Sequence, residues 1–387
     1  MPHCLRTDRI ALSLACICWV GGCQRVPSSW SSDNVGAHAL YSVDWWLQLV
    51  QPPSLEYLPR EIAAPGVDPD LDPDKAEVVV ATRDKMVRGI SPEGKIDWTF
   101  NTNGPFTAGA SVKEGLAYVP GGDGVLYALD VFRGTLVWRY DAGEELVTSP
   151  VIVDDAVLVA AENDALYAIE RKTGALRWRY HRQSQTSSGF TIQGASTPLA
   201  HQGVAFVGFS DGSLVAIRIA DGTVKWERML SLTGKQFLDV DTTPVLSPSG
   251  RLLAASYQDG LYALDPETGG VQWHKASSGI TGIALQQALV FSAGDAQISA
   301  FSETSGAPVW SLDLAGRAAR GPVLVKGVLV APINASLLFV DAITGKAISS
   351  WNPGKGVSAP PQWHRGRLYV LSNLGFLYMM RVHGAGG

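Results

Sequence analysis

Few residues in this chain have the types and spacing to do chemistry. Gly208-Phe209-Ser210-Asp211-Gly212 fits G-x-S-x-G, which presents a serine for acyl transfer when a strand runs into a helix. The context is wrong for that. The aligned segments of neighbouring repeats, GGDG, ENDA and YQDG, are turns between two strands, so Ser210 reads as a hairpin residue. Asp70, Asp72 and Asp74 alternate like calcium-loop ligands, but Lys75 occupies the place of the sharp-turn glycine and no glutamate stands at the twelfth position. They read as part of a solvated linker. His3, His38, His181, His201, His274, His364 and His383 show no two-histidine metal spacing, and there is no Walker-type phosphate loop. No catalytic, metal or cofactor residue is assigned.

Cysteine chemistry is confined to one end. Cys4, Cys16, Cys18 and Cys23 all precede residue 24, so the rest of the chain has neither a disulfide nor a thiolate metal site. Arg6 and Arg9 precede an apolar run, Ile10 to Val20, that is too short to span a bilayer, which takes about 20 residues in a helix. This is the pattern of a signal peptide, residues 1–22. Val20-Gly21-Gly22-Cys23 resembles the bacterial lipobox, which makes Cys23 the expected lipidation site and first mature residue. Two alternatives are an incidental thiol at Cys23 and acylation at Cys16, where Ser13 fits the motif poorly. Gln24, rather than aspartate, resembles the sorting pattern of outer-membrane cargo. The expected location is the outer membrane, lipid-anchored and facing the periplasm. Residues 23–38, with Ser28, Ser29, Ser31 and Ser32, read as a lipidated flexible tether.

The remainder must be positioned by a repeat. With 46% hydrophobic residues and a net charge of −5, the chain has material for a large core and no basic bias toward nucleic acid. A glycine followed four residues later by tryptophan recurs in MVRGISPEGKIDW, LYALDVFRGTLVW, LYAIERKTGALRW, LVAIRIADGTVKW, LYALDPETGGVQW and ISAFSETSGAPVW. A degenerate copy, LLFVDAITGKAIS, puts Ser349 at the tryptophan position and leaves Trp351 out of register. The glycines, from Gly94 to Gly345, are 37 to 48 residues apart, the length of a four-stranded propeller blade. Each glycine accepts the positive φ of a tight hairpin, and each tryptophan is expected to wedge one sheet against the next.

Beyond Trp351 the sequence supplies three strands of an eighth blade, in PPQWHRG, RLYVLSN and GFLYMMRV. An open blade would leave unpaired backbone, and ALYSVDWWLQLV, residues 39–50, is β-rich enough to supply the fourth strand. The expected fold is all-β: an eight-bladed β-propeller of four-stranded antiparallel blades over residues 39–387, closed by this N-terminal strand. Residues 51–75, rich in proline and aspartate, read as a loop.

ALDPETGGVQW resembles the repeats of quinoprotein alcohol dehydrogenases, whose propeller holds pyrroloquinoline quinone and calcium. The adjacent cysteine pair and calcium-binding loops of those enzymes are missing. Leu238-Asp239-Val240-Asp241-Thr242-Thr243-Pro244 and Phe190-Thr191-Ile192-Gln193-Gly194-Ala195-Ser196-Thr197-Pro198 resemble segments of the BamB family, lipoproteins of the outer-membrane β-barrel assembly machinery. Together with the lipobox and blade count, the resemblance covers nearly all of residues 39–382. It implies a non-catalytic scaffold with no cofactor, working beside other assembly lipoproteins and docking a BamA-like protein through Phe190, Ile192, Gln193, Asp239 and Asp241. Gln193 stands where the family is expected to carry arginine.

The glycine spacing supports the same loops independently, rising to 48 and 47 residues only across Gly174–Gly222 and Gly222–Gly269. The excess falls at about 181–196 and 229–241, in neighbouring connections on one face of a propeller. A tolerated insertion is the alternative reading. Asp239 and Asp241 meet basic groups of a partner or cap local backbone N–H groups. A PQQ-dependent enzyme and a generic periplasmic adaptor or sensor are the other functional readings.

Overall fold

The computed structural model describes residues 40–51, 60–182, 195–230, 239–240, 242–333 and 336–384. They form eight four-stranded antiparallel sheets. Seven follow chain order from inner to outer strand, as blades 1 to 7 over 66–101, 111–141, 151–181, 199–229, 245–275, 280–313 and 323–351. Blade 8 takes three strands from 362–382, and Tyr41–Gln48 adds the outermost. That strand runs antiparallel to Phe376–Val382, from Tyr41 opposite Val382 to Gln48 opposite Phe376, and closes the ring between the two ends of the chain.

Second and third strands of most blades are buried along nearly their whole length, as in Ala156–Ala161 and Ala165–Glu170. They therefore read as continuous apolar runs, whereas outer strands alternate, as in Leu136–Asp141. The apolar clusters lie between blades. Tyr118 and Leu126 of blade 2, for example, pack with Val157 and Val159 of blade 3.

The repeated tryptophan and glycine are two halves of one inter-blade contact. The indole N–H of Trp98 donates to Val131 O at 2.7 Å, and its ring covers Gly134 of the next blade. A Cβ on Gly134 would lie 2.3 Å from that ring, and its φ of 67° already favours glycine. Trp138, Trp178, Trp226, Trp273 and Trp310 repeat the arrangement over Gly174, Gly222, Gly269, Gly306 and Gly345. Trp45 makes the seventh contact across the seam, donating to Pro92 O at 3.0 Å and covering Gly94.

This explains the degenerate seventh repeat. Ser349 pairs with Phe339 just as Trp310 pairs with Ala300, so it does hold the tryptophan position. The blade it faces has no third-to-fourth hairpin, because there the chain ends meet, and so there is no turn glycine to cover. Trp351 instead packs edge-on against Tyr378, with centroids 4.8 Å apart.

One sequence expectation is corrected. Residues 51–75 are not one loop, because Gly66–Val67 forms the innermost strand of blade 1. A two-residue strand between Pro65 and Pro69 carries no alternation to read. Gly66 is needed because a Cβ there would lie 2.4 Å from Ala110 O of blade 2. The acidic stretch after it is solvated at Asp70, Asp72 and Asp74, as expected, but its backbone is not loose: Leu71 O meets His364 Nε2 at 3.0 Å and Pro73 O accepts from Arg367 at 2.8 Å, which pins it to blade 8.

Candidate functional site

Antiparallel order puts every blade-to-blade connection, together with the turns between second and third strands, on one face, called here the connection face. The remaining turns share the opposite hairpin face. Between His181 and Leu199 the connection is 17 residues long and between Met229 and Val245 it is 15; others run 4 to 10, apart from a third long one of 17 between Gln48 and Gly66. The first two are neighbours, flanking blade 4.

Their described ends rest on the turn that carries the G-x-S-x-G pattern. Gly208 N donates to Ser196 Oγ at 2.8 Å, and Ser196 N donates back to Gly208 O at 2.9 Å, fixing the end of the first connection. Leu230 N bonds Gly212 O at 2.9 Å and Val240 N bonds Phe209 O at 3.2 Å, fixing both ends of the second. Gly208 is required because a Cβ there would lie 2.1 Å from Val240 O. Ser210 gives its hydroxyl to Asp164 Oδ2 and its amide to Asp164 Oδ1 at 3.2 Å. This serine is a tie between blades 3 and 4, and the motif is a platform for two connections.

Charge reinforces the platform. Arg182, which opens the first connection, binds Asp211 through Nε and Glu227 through Nη2 at 2.8 Å. Asp211 is 8% exposed and Arg182 15%, so the pair is largely shielded from water. Asp164 is buried too, and desolvation raises its carboxyl above the usual range although the Ser210 bonds oppose it.

The expected site residues divide unevenly. Cys23, Phe190, Ile192, Gln193 and Asp241 lie outside the described residues. Asp239 is described and is 6% exposed. Burial raises its carboxyl above the ordinary range, and its carbonyl accepts Tyr257 N at 3.0 Å. Asp239 is thus built into the base of the connection and does not stand on its surface. Sequence reading missed Arg182 and Asp164, whose partners lie 29 to 46 residues away and make no motif.

The third long connection is stapled across the seam. Glu61 accepts Arg83 N at 3.0 Å and Arg83 Nη1 at 2.8 Å, and its own amide donates to Asn373 Oδ1 at 3.2 Å. Burial pushes the Glu61 carboxyl up to about 7, with the Arg83 amide and guanidinium opposing it. Among the described residues no group of three His, Cys, Asp or Glu is placed to hold a metal. The Asp70 and Asp74 carboxylates are engaged by Lys113 at 3.4 Å and by Arg367.

Comparison with known proteins adds identity to this geometry. A family model described as outer membrane protein assembly factor BamB matches residues 83–297 and 294–380. The chain is 29% identical over 317 residues to the outer membrane protein assembly factor BamB of Salmonella typhimurium, covering 79% of this chain and 80% of that one. Its fold is similar to the crystal structure of BamB from Moraxella catarrhalis, with TM-score 0.76 and 21% identity over 88% of this chain and 100% of the other. It is also similar to quinohemoprotein alcohol dehydrogenase from Comamonas testosteroni, with TM-score 0.71 and 15% identity over 91% of this chain and 78% of the other, a likeness of fold alone.

Proposed function

Because the chain belongs to the BamB family of outer-membrane protein assembly factors, we propose that it docks a BamA-like partner through the two neighbouring connections flanking blade 4, while acylated Cys23 ties it to the outer membrane on the periplasmic side. The protein is a non-catalytic scaffold of outer-membrane protein assembly. The observation that carries the docking site is the pairing of two adjacent long connections on one face with a buried polar platform beneath both. Long loops on a rigid base are where scaffolds place recognition.

Asp239, being buried, supports the shape of the second connection; Phe190, Ile192, Gln193 and Asp241 are assigned to contact. Asp241→Ala combined with Ile192→Ala is expected to weaken partner binding at least about tenfold, or about 1.4 kcal/mol, with an unchanged melting temperature. Gln193→Arg leaves binding intact or strengthens it. Titration against the partner's periplasmic domains reads both. Normal binding by the double variant, with loss on equivalent hairpin-face changes, puts the site on the wrong side of the propeller. Cys23→Ala is expected to leave the outer-membrane fraction when its partners are absent.

A further inference from the structure

The hairpin face carries a charge gradient that the docking site does not use. The turns between first and second strands hold Glu114 in blade 2, Asp154 and Asp155 in blade 3, Gln202 in blade 4, Ser249 and Arg251 in blade 5, with Arg251 paired to Glu303, and Gln287 in blade 6. In blades 7 and 8 the same turn holds Lys326 and Arg365. Blade 7 adds Lys346 beside its outer hairpin; the outer hairpins of blades 1 to 3 also carry Lys95, Arg133, Arg171 and Lys172, but there Arg133 and Arg171 are held by Asp130 and Glu114, and the first-to-second turns beside them are acidic. Lys326, Lys346 and Arg365 are exposed, and none pairs with a described acid.

Nearby acids are otherwise engaged. Asp341 accepts the amides of Ile343 and Thr344, Asp44 holds Arg381 at 2.5 Å, and Asp74 holds Arg367. The patch ends at the acidic loop 68–74 from blade 1. Ile343 stands at the tip of the same blade-7 hairpin and is 74% exposed, the highest value among the large apolar side chains described.

The chain from the expected lipid anchor arrives at this patch. Leu40 O accepts His383 N at 2.7 Å, and a Cβ on Gly384 would lie 3.5 Å from Lys326 O. Ala342 N bonds Gly327 O at 3.0 Å, joining the Lys326 turn to the Ile343 hairpin. Sixteen residues, 24–39, separate Cys23 from Leu40. Fully extended they reach about 55 Å, so the anchor alone does not set which surface faces the membrane.

We propose that the hairpin face of blades 7 and 8 lies against the anionic phospholipid surface to which Cys23 ties the chain, with Lys326, Lys346 and Arg365 meeting headgroup phosphates and Ile343 entering the interface. The proposal rests on the reading of Cys23 as the lipid anchor. Basic side chains around an apolar tip match the two attractions of a bilayer surface, anionic headgroups and buried hydrocarbon. The geometry also orients the scaffold. In an eight-bladed ring the 3/4 and 4/5 junctions lie across from the 7/8 and 8/1 junctions, so the docking connections point away from the membrane on the opposite face.

The test uses the full lipidated chain with a fluorophore at Ile343→Cys or, in a second preparation, at Phe132→Cys on the same face of blade 2. In vesicles with about 30% phosphatidylglycerol, a headgroup quencher is expected to quench the 343 probe at least about threefold more than the 132 probe. About 0.5 M NaCl, or the triple change Lys326→Glu, Lys346→Glu and Arg365→Glu, is expected to bring it down to the 132 level. Equal quenching at the two sites, or quenching at 343 that ignores charge reversal, overturns the proposal. A 343 signal that grows with protein concentration without vesicles puts a second copy on the patch and also overturns it. The anchor is judged separately on pure phosphatidylcholine vesicles, where the parent chain floats and Cys23→Ala does not. Loss of that difference removes Cys23 as anchor and leaves the contrast between 343 and 132 to decide the patch.

Discussion

Blades 3 to 5 and blades 7, 8 and 1 are built on one repeat and lie across the ring from each other, yet they break the repeat in opposite ways. On the first side every tryptophan covers its glycine, and the irregularity goes into long connections above intact sheets. On the second the sheets themselves are irregular. An outer strand comes from the other end of the chain, Ser349 replaces a tryptophan, and a two-residue strand opens blade 1. Where the repeat is complete, its stability is free to carry long connections; where it is broken, the exceptions serve closure.

That contrast predicts where deletion hurts most. Removing 39–50 takes away the outer strand of blade 8, buried Leu40 and Tyr41, the Tyr41–Phe339 stack at 4.9 Å and the Trp45 contact with Gly94. Burial of that size is worth on the order of 5 kcal/mol, comparable to the whole stability of many proteins. The melting temperature is expected to fall by more than about 10 °C, against less than about 2 °C for removing 24–38. Thermal melts by circular dichroism decide it, and equal falls would remove the closing strand from the account.

A smaller effect sharpens the comparison with one ion pair from each side. Arg182→Ala strands Asp211 beneath the docking connections, while Arg381→Ala frees Asp44 on a surface where Arg381 is 52% exposed. Breaking a fully buried pair costs about 3–5 kcal/mol; partial exposure of Arg182 and Glu227 brings the expected loss to about 2–3. Arg381→Ala should cost under about 0.5 kcal/mol. Chemical denaturation measures both. Equal losses would mean that the docking side has no special platform.

The sequence made the ring legible because its signals are local and periodic: glycine at a fixed offset before tryptophan, apolar runs for buried strands, and a missing fourth strand at one end. Closure by residues 39–50 followed from counting. Gly66–Val67 escaped because a strand of two residues has no period, and it is held by a close approach to Ala110 from another blade. The candidate site was legible only as extra length. Nothing near Asp239 in sequence announces its burial, which comes from blades assembled around it, and Arg182 finds Asp211 and Glu227 only once blades 3 and 4 are side by side. The G-x-S-x-G segment was placed in a hairpin, but its service to two connections depends on Asp164 and Val240.

A small effect, again on the seam side, is read through pH. Glu77 lies between Ala76 and Val78, both wholly buried in the cluster that joins blade 1 to blade 8, and its Oε2 is buried without a partner. Burial first, then the charge and hydrogen bond of Asp97, then the charge of Glu93, push its carboxyl up to about 7 from 4.5. A carboxyl that holds its proton more tightly when folded contributes stability that is complete below about 4.5 and is lost as pH rises through about 7. Glu77→Gln keeps the shape and removes the charge. It should therefore melt above the parent at pH 8, by about 1–2 °C after allowance for solvent screening, and level with it near pH 5. Asp84 in the same blade is held below its usual range by Arg88 and Thr82 against the cost of burial, so it slopes the other way, which is why the difference between parent and variant carries the test. A gain that is the same at both pH values would show that Glu77 is uncomfortable through its shape and not its charge.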